Sequence, residues 1–216
     1  MLKALIFDMD GVLVNSVKPI WESFNVVLKE EGVHFSDDYI KNNLARSLRD
    51  NLQAWKKEFG IKDYDIMEFS KKAGSIQLDL LKNEKVSQSL VNLLEQAKRQ
   101  NIKCVVATSS LRWRAEKILN LLNIRTFFDV LVTADEIKNH KPAPDTFLEA
   151  ARQLDVRPEE CVVIEDAENG IESAKNANMK AVGLVTEYNS ANELRHADIV
   201  INDFSEINIE RLKKLF

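Results

Sequence analysis

Cysteine is scarce in this chain, with two in 216 residues, Cys104 and Cys161. Each lies in a short apolar run, 102–107 and 161–164. They read as small buried hydrophobes rather than a redox pair or metal ligands. Reduced thiols of this kind fit a cytoplasmic protein. Long apolar runs are also missing. No stretch approaches the roughly 18 apolar residues of a membrane span. The apolar N-terminal run is far too short for a signal-peptide core, and it ends in two acids. An excess of positive charge is absent too. The formal net charge is -4, and no basic stripe with interleaved aromatics stands out, so neither nucleic acid nor an anionic membrane is an expected partner. Repeats and low-complexity segments are lacking.

What the chain does have is enough apolar content, 45%, to bury a sizeable core. It also has Asp8-Met9-Asp10-Gly11-Val12-Leu13 directly after the apolar run 2–7. Strand side chains alternate with period two, so Asp8 and Asp10 start out on the same side of the chain. Gly11 lets the backbone turn sharply. Unpaired charge at the mouth of a core is costly, and a divalent cation is the natural compensation.

Short runs rich in β-branched residues read as buried strands over 2–7, 103–108, 129–133, 161–165, 181–185 and 198–201. Helical periodicity separates most of them. Leu90, Leu93, Leu94 and Ala97 fall at i, i+3, i+4 and i+7, as do Ala115, Ile118, Leu119 and Leu122. Residues 144–154 and 170–177 follow suit. Alternating strands and helices predict an α/β fold with a parallel sheet covered on both faces. The region from about Ser16 to Glu84 differs. Stripes at Trp21, Phe24, Val27 and Leu28, at Leu48, Leu52, Trp55 and Phe59, and at Ile66, Phe69 and Ala73 predict a small helical bundle inserted between the first two strands.

Ligands of open α/β sheets bind beyond the carboxyl ends of the strands. Those ends carry Asp8 and Asp10, then Thr108-Ser109-Ser110, then Asn139-His140-Lys141-Pro142, then Glu165-Asp166.

With these residues in view, the chain resembles the haloacid dehalogenase superfamily, in its β-phosphoglucomutase and phosphoglycolate phosphatase-like subgroup with a helical cap. The resemblance spans nearly the whole chain. It rests on DMDGVL at 8–13, VVATSS at 105–110, KPAPDTF at 141–147 and VVIEDAENGI at 162–171. It implies a Rossmann-like catalytic core from residues 1–15 and 86–216, with an inserted all-helical cap, 16–85, that selects substrate.

The resemblance also implies roles. Asp8 is expected as a nucleophile that forms an aspartyl phosphate. Asp10 is expected as general acid for the leaving oxygen and then general base for water, and to lend its main-chain carbonyl to the metal. Magnesium is the expected ion, since the candidates are all hard oxygen donors. Asp8 and Asp166 are expected as direct ligands, with Glu165 direct or water-bridged. Thr108, the Ser109 N–H and Lys141 are expected to hold the phosphoryl group. Arg49 in the cap and Arg112 are further candidates for substrate contact. The simpler readings are helix capping by Ser109, Ser110 or the Glu165-Asp166 pair, a solvated turn at Lys141-Pro142, and an exposed loop for His140.

Some positions depart from the subgroup. β-Phosphoglucomutases carry a histidine in the first cap helix where this chain has Ile20. A glycine common in the cap's substrate loop corresponds to Ala45. The expectation is therefore a magnesium-dependent phosphatase for a small phosphorylated metabolite such as a sugar phosphate, in a cytoplasmic monomer or weak dimer. The alternatives are a hexose-phosphate mutase and a non-catalytic binding module. The carboxylates Glu165-Asp166 argue against a dehalogenase, and the presence of all the motif residues argues against a relict fold.

Overall fold

Residues 4–7 are inaccessible to solvent and form strand β1 (Ala4–Phe7). A strand covered on both faces has no polar side to show, hence its unbroken apolar sequence. The computed structural model describes residues 1–43 and 46–216. Among the described residues, β1 is followed by the α-helices α1 (Val17–Val27), α2 (Asp37–Lys41), α3 (Leu48–Phe59) and α4 (Ile66–Leu80). Helix and strand then alternate through α5 (Gln88–Arg99), β2 (Lys103–Ala107), α6 (Arg112–Leu121), β3 (Val130–Val132), α7 (Asp145–Leu154), β4 (Cys161–Glu165), α8 (Glu168–Asn176) and β5 (Lys180–Leu184). β6 (Ile199–Ile201) and α9 (Ile209–Lys213) complete the chain. Two compact units result, Met1–Val14 with Lys85–Phe216, and Asn15–Glu84.

The first unit holds a parallel sheet of order β3-β2-β1-β4-β5-β6. Ile6 lies between Val105 of β2 and Val163 of β4. The strand order therefore reverses beside β1. A crevice opens where strand order reverses, here beyond the carboxyl ends of β1 and β4. The helices cover the sheet with the stripes their periodicity predicts. α5 buries Leu90, Leu93, Leu94 and Ala97, and α7 buries Phe147, Ala150 and Ala151. Ser87 caps α5 by accepting the Leu90 N–H.

The second unit is all helical among the described residues. Trp21 packs edge-on against Phe24, Phe35 and Trp55, with ring centroids 5.6, 5.2 and 6.0 Å away. Such pairs contribute about 0.5–1.5 kcal/mol each beyond their buried area. Ser47 and Asp65 start α3 and α4 by accepting main-chain N–H groups of Asp50 and Glu68. Phe59, at the end of its stripe, is 43% exposed. The aromatic bundle is thus centred on Trp55 and Trp21, and Phe59 packs at its edge against Phe35 and Tyr39, with ring centroids 5.9 and 5.7 Å away.

The fold is the α/β class expected, a parallel sheet flanked by helices with an all-helical insertion. Among the described residues no helix is long and apolar enough to cross a membrane.

Candidate active site

The site begins with the turn after β1. The Asp8 N–H donates to the Ile164 carbonyl at 3.0 Å, which carries the β1–β4 ladder one residue past the strand. The Met9 carbonyl then accepts from Leu13 and Val14, and the Gly11 N–H donates to Val14. Gly11 sits at φ +88°, a region that L side chains rarely enter. Space also demands glycine here. A Cβ on Gly11 would stand 2.0 Å from Oδ2 of Asp166. The first motif and the last are therefore in contact through a missing side chain.

Lys141 joins the other end of this constellation. Its Nζ donates to Asp8 Oδ1 at 2.5 Å and to Glu165 Oε1 at 2.6 Å. Side-chain exposure is 6% for Lys141, 10% for Asp8 and 2% for Glu165. The ammonium also lies 4.8 Å from the centre of the Phe147 ring, a favourable placement over an aromatic face. Burial alone would lower the Lys141 pKa, but Asp8 and Glu165 outweigh it and hold the ammonium above its ordinary value. Burial pushes the Asp8 carboxyl up to about 7, against the pull of Lys141 and with added repulsion from Glu165. Asp166 is raised well above the ordinary aspartate value, by burial first and then by Glu165 and Asp8.

Glu165 braces rather than caps. Its Oε2 accepts the N–H groups of Asp166 and Ala167 at 2.7 and 2.9 Å. The N-cap of α8 is Ala167, and no side chain caps it. The close fit continues at Gly170, where a Cβ would meet Glu165 Oε1 at 1.9 Å. Asn189, which sequence reasoning did not single out, fixes the same loop. Its Nδ2 donates to the carbonyls of Asp166 and Leu184 at 2.5 and 3.0 Å, while its Oδ1 accepts from Thr186.

Asp10 is held from α6. Both its oxygens accept from the Arg114 guanidinium at 2.8 Å, and Oδ2 also accepts from Ser110 Oγ at 2.8 Å. Thr108 is buried, and its Oγ1 accepts the Ser110 N–H at 3.1 Å. Ser109, between these two residues, is exposed. Neither serine caps α6, whose N-cap is Leu111. Its first N–H instead meets Asp135 Oδ2, at 2.6 Å from Arg112 N.

Arg112 has structural partners. Its guanidinium donates to the Leu131 carbonyl at 2.7 Å and to Glu136. Those bonds tie α6 to β3 and the turn after it. Of the two arginines that flank Trp113, it is Arg114 that the fold brings to the motif carboxylates. One signal for it was present in the sequence. Arg114 falls on the inward stripe of α6, beside Ala115 and Ile118, and a charge on a buried face requires a partner. Arg49 is exposed on α3 of the helical unit, and His140 is exposed on its loop. Ala45 lies outside the described residues.

The metal candidates sort by what their oxygens already hold. Among the described residues no three His, Cys, Asp or Glu side chains form a ready ligand cluster. Asp10 is engaged by Arg114 and Ser110, and Glu165 by Lys141 and two amides. Asp8, which holds Lys141 through Oδ1, and Asp166 remain as the side-chain candidates, with the Asp10 carbonyl as a main-chain one. Burial and mutual repulsion make charge on Asp8 and Asp166 unfavourable. A small hard cation suits such a pair, because magnesium takes few protein carboxylates and keeps several waters.

The profile of the family described as haloacid dehalogenase-like hydrolase matches residues 5–184. A phosphorylated carbohydrates phosphatase of Thermotoga maritima is 31% identical over 204 residues, covering 92% of this chain and 93% of that one. A β-phosphoglucomutase of Bacillus subtilis is 31% identical over 218 residues, covering 98% and 94%. The solved structure of a β-phosphoglucomutase from Clostridium difficile superposes with a TM-score of 0.86 at 25% identity, covering 99% of this chain and 96% of that one. Together with the reversal of strand order beside Asp8, these matches lead to one conclusion: the chain belongs to the haloacid dehalogenase-like hydrolases, in the branch of phosphatases and phosphoglucomutases, and is a phosphoric monoester hydrolase.

Proposed function

We propose that this chain is a magnesium-dependent phosphatase that hydrolyses a small phosphomonoester of the sugar-phosphate class through an aspartyl phosphate on Asp8. The observation that carries this reading is the buried bridge of Lys141 between Asp8 and Glu165 at the crevice beside β1. A carboxylate oxygen of Asp8 attacks phosphorus, and the bond from phosphorus to the substrate oxygen breaks. Asp10 gives its proton to that departing oxygen. Water then attacks the phosphorus. Asp10 takes the proton back, the phosphorus–Asp8 bond breaks, and inorganic phosphate leaves. Lys141, the Thr108 hydroxyl and the Ser109 N–H balance charge on the phosphoryl oxygens, the main task of protein groups in this chemistry. Asp8, Asp166 and the Asp10 carbonyl would hold magnesium, which when bound would supply positive charge that offsets the repulsion between the two anions.

The sugar-phosphate class is supported by the phosphorylated carbohydrates phosphatase relative. Residues 16–85 act as the substrate-selecting cap, with Arg49 as a candidate contact for a second anionic or hydroxyl group. The test is phosphate release from a panel of sugar phosphates, nucleotides and phosphoglycolate, with magnesium and after chelation. Magnesium-dependent release from one or a few sugar phosphates is the expected result. Release unaffected by EDTA would overturn the metal role.

The Bacillus subtilis relative favours a second reading, a hexose-phosphate mutase. Ile20, where the mutases carry histidine, weighs against it. A mutase would interconvert 1- and 6-phosphates when primed with a sugar bisphosphate, with little net phosphate released.

A further inference from the structure

α6 carries a charged residue on its buried face. Ala115, Ile118 and Leu119 point inward, and Arg114 shares their stripe with its side chain 8% exposed. A guanidinium keeps its proton at any ordinary pH and has no acceptor atom. Buried among apolar neighbours, it requires an anion. It meets Asp10 with both ends of its fork, NH1 to Oδ2 and NH2 to Oδ1, each at 2.8 Å. Ser110 closes the arrangement: its Oγ donates to Asp10 Oδ2 at 2.8 Å and accepts from Arg114 NH1.

We propose that Arg114 is a positioning residue for the acid–base carboxylate, fixing the plane of Asp10 through this two-point fork. The inference rests on the reading of Asp10 as general acid and base. Asp10 follows a strand end, precedes a glycine turn and is 23% exposed at its side chain. A carboxylate so placed samples several rotamers unless something restrains it. Proton delivery needs its oxygen held within about 0.5 Å of the productive place. The fork provides that restraint from a rigid helix. A lysine offers one point of attachment and leaves the carboxylate plane free to turn. A purely structural role, tying the turn after β1 to α6, would change stability without changing which substrates suffer.

The experiment compares wild type, R114M, R114K, D10N and D10N/R114M with magnesium present. Two substrates are used, a hexose 6-phosphate and p-nitrophenyl phosphate, whose leaving group departs without a proton. Thermal unfolding is recorded for each variant. The proposal expects R114M to lower kcat on the hexose phosphate about 10–100-fold, a part of the general-acid contribution, with KM within about threefold. The first-turnover release of p-nitrophenolate stays within about threefold. In the D10N background, R114M changes either rate by less than about twofold, because coupled residues fail to add. R114K behaves like R114M and supplies the same comparison if R114M does not fold. Equal losses on both substrates and in both backgrounds, a change in KM alone, or full activity in R114K would overturn the proposal. Full activity on the hexose phosphate in D10N would instead overturn the reading of Asp10 itself.

Discussion

The Asp166 carboxylate fills the space that a side chain on Gly11 would need, with Oδ2 2.0 Å from the position of that Cβ. The two residues are far apart in sequence and belong to the first and last motifs. Their contact sets the candidate metal carboxylate against the turn that follows Asp8. G11A should therefore fail twice. The φ of +88° costs about 1–3 kcal/mol with a side chain present. The displaced Asp166 should lower kcat by about 100-fold or more, the scale of an ångström-sized misplacement. Denaturant unfolding and steady-state assays separate the two effects.

Lys141 is the cation for two buried acids, Asp8 and Glu165. Removing one partner of a buried ion pair leaves uncompensated charge and costs about 3–5 kcal/mol. K141M is expected to lose stability on that scale at pH 8 in EDTA, and to recover part of it at pH 6 as Asp8 takes up a proton. Urea midpoints at the two pH values check this. Equal losses at both pH values would contradict it.

The metal-free protein should grow less stable as pH rises from 5 to 8. Burial raises the Asp8 pKa from 3.8 to about 7, so the folded state binds a proton in this range that the unfolded chain has already lost. Linkage then lowers stability as pH climbs towards and through the folded value. Glu149 beside Arg152 and Glu160 beside Arg157 shift the other way, to about 2, and change charge below this window. Magnesium at pH 8 should raise the Tm, and D8N in EDTA should show a flatter profile. Thermal scans with and without magnesium measure both. A D8N profile as steep as wild type would assign the slope to other groups.

Cys104 and Cys161 are buried, and burial pushes both thiols up to about 12. At pH 8 the native protein should not react with iodoacetamide, and denatured protein should label at both. Mass spectrometry of native and urea-treated samples decides it.

Much of this was legible in the chain because the core strands are buried on both faces. β4 runs over Cys161–Glu165, as its apolar run predicts, and the motif residues at its end point to the crevice. α2, only five residues long, lacks the two turns that periodicity needs to show itself. The link from Arg114 to Asp10 was not legible either. The spacing of Arg114 to Ile118 puts it on the inward stripe of α6, but nothing in that spacing names its partner, because Asp10 lies on a separate element far away in the chain. Asn189 was missed for a related reason, since it serves the site by holding the Asp166 main chain rather than by lying in a motif.

The central claim is that Asp8 carries the phosphoryl group. Borohydride reduces an acyl phosphate to an alcohol, so quenching the enzyme into borohydride during turnover of a sugar phosphate should convert Asp8 to homoserine. Peptide mass spectrometry reads that change directly. The expected result is homoserine at position 8 only when substrate and magnesium are present, with D8N unlabelled and its turnover lowered on the order of 10⁴-fold or more. Sustained phosphate release with Asp8 unmodified, or full turnover in D8N, would contradict the account.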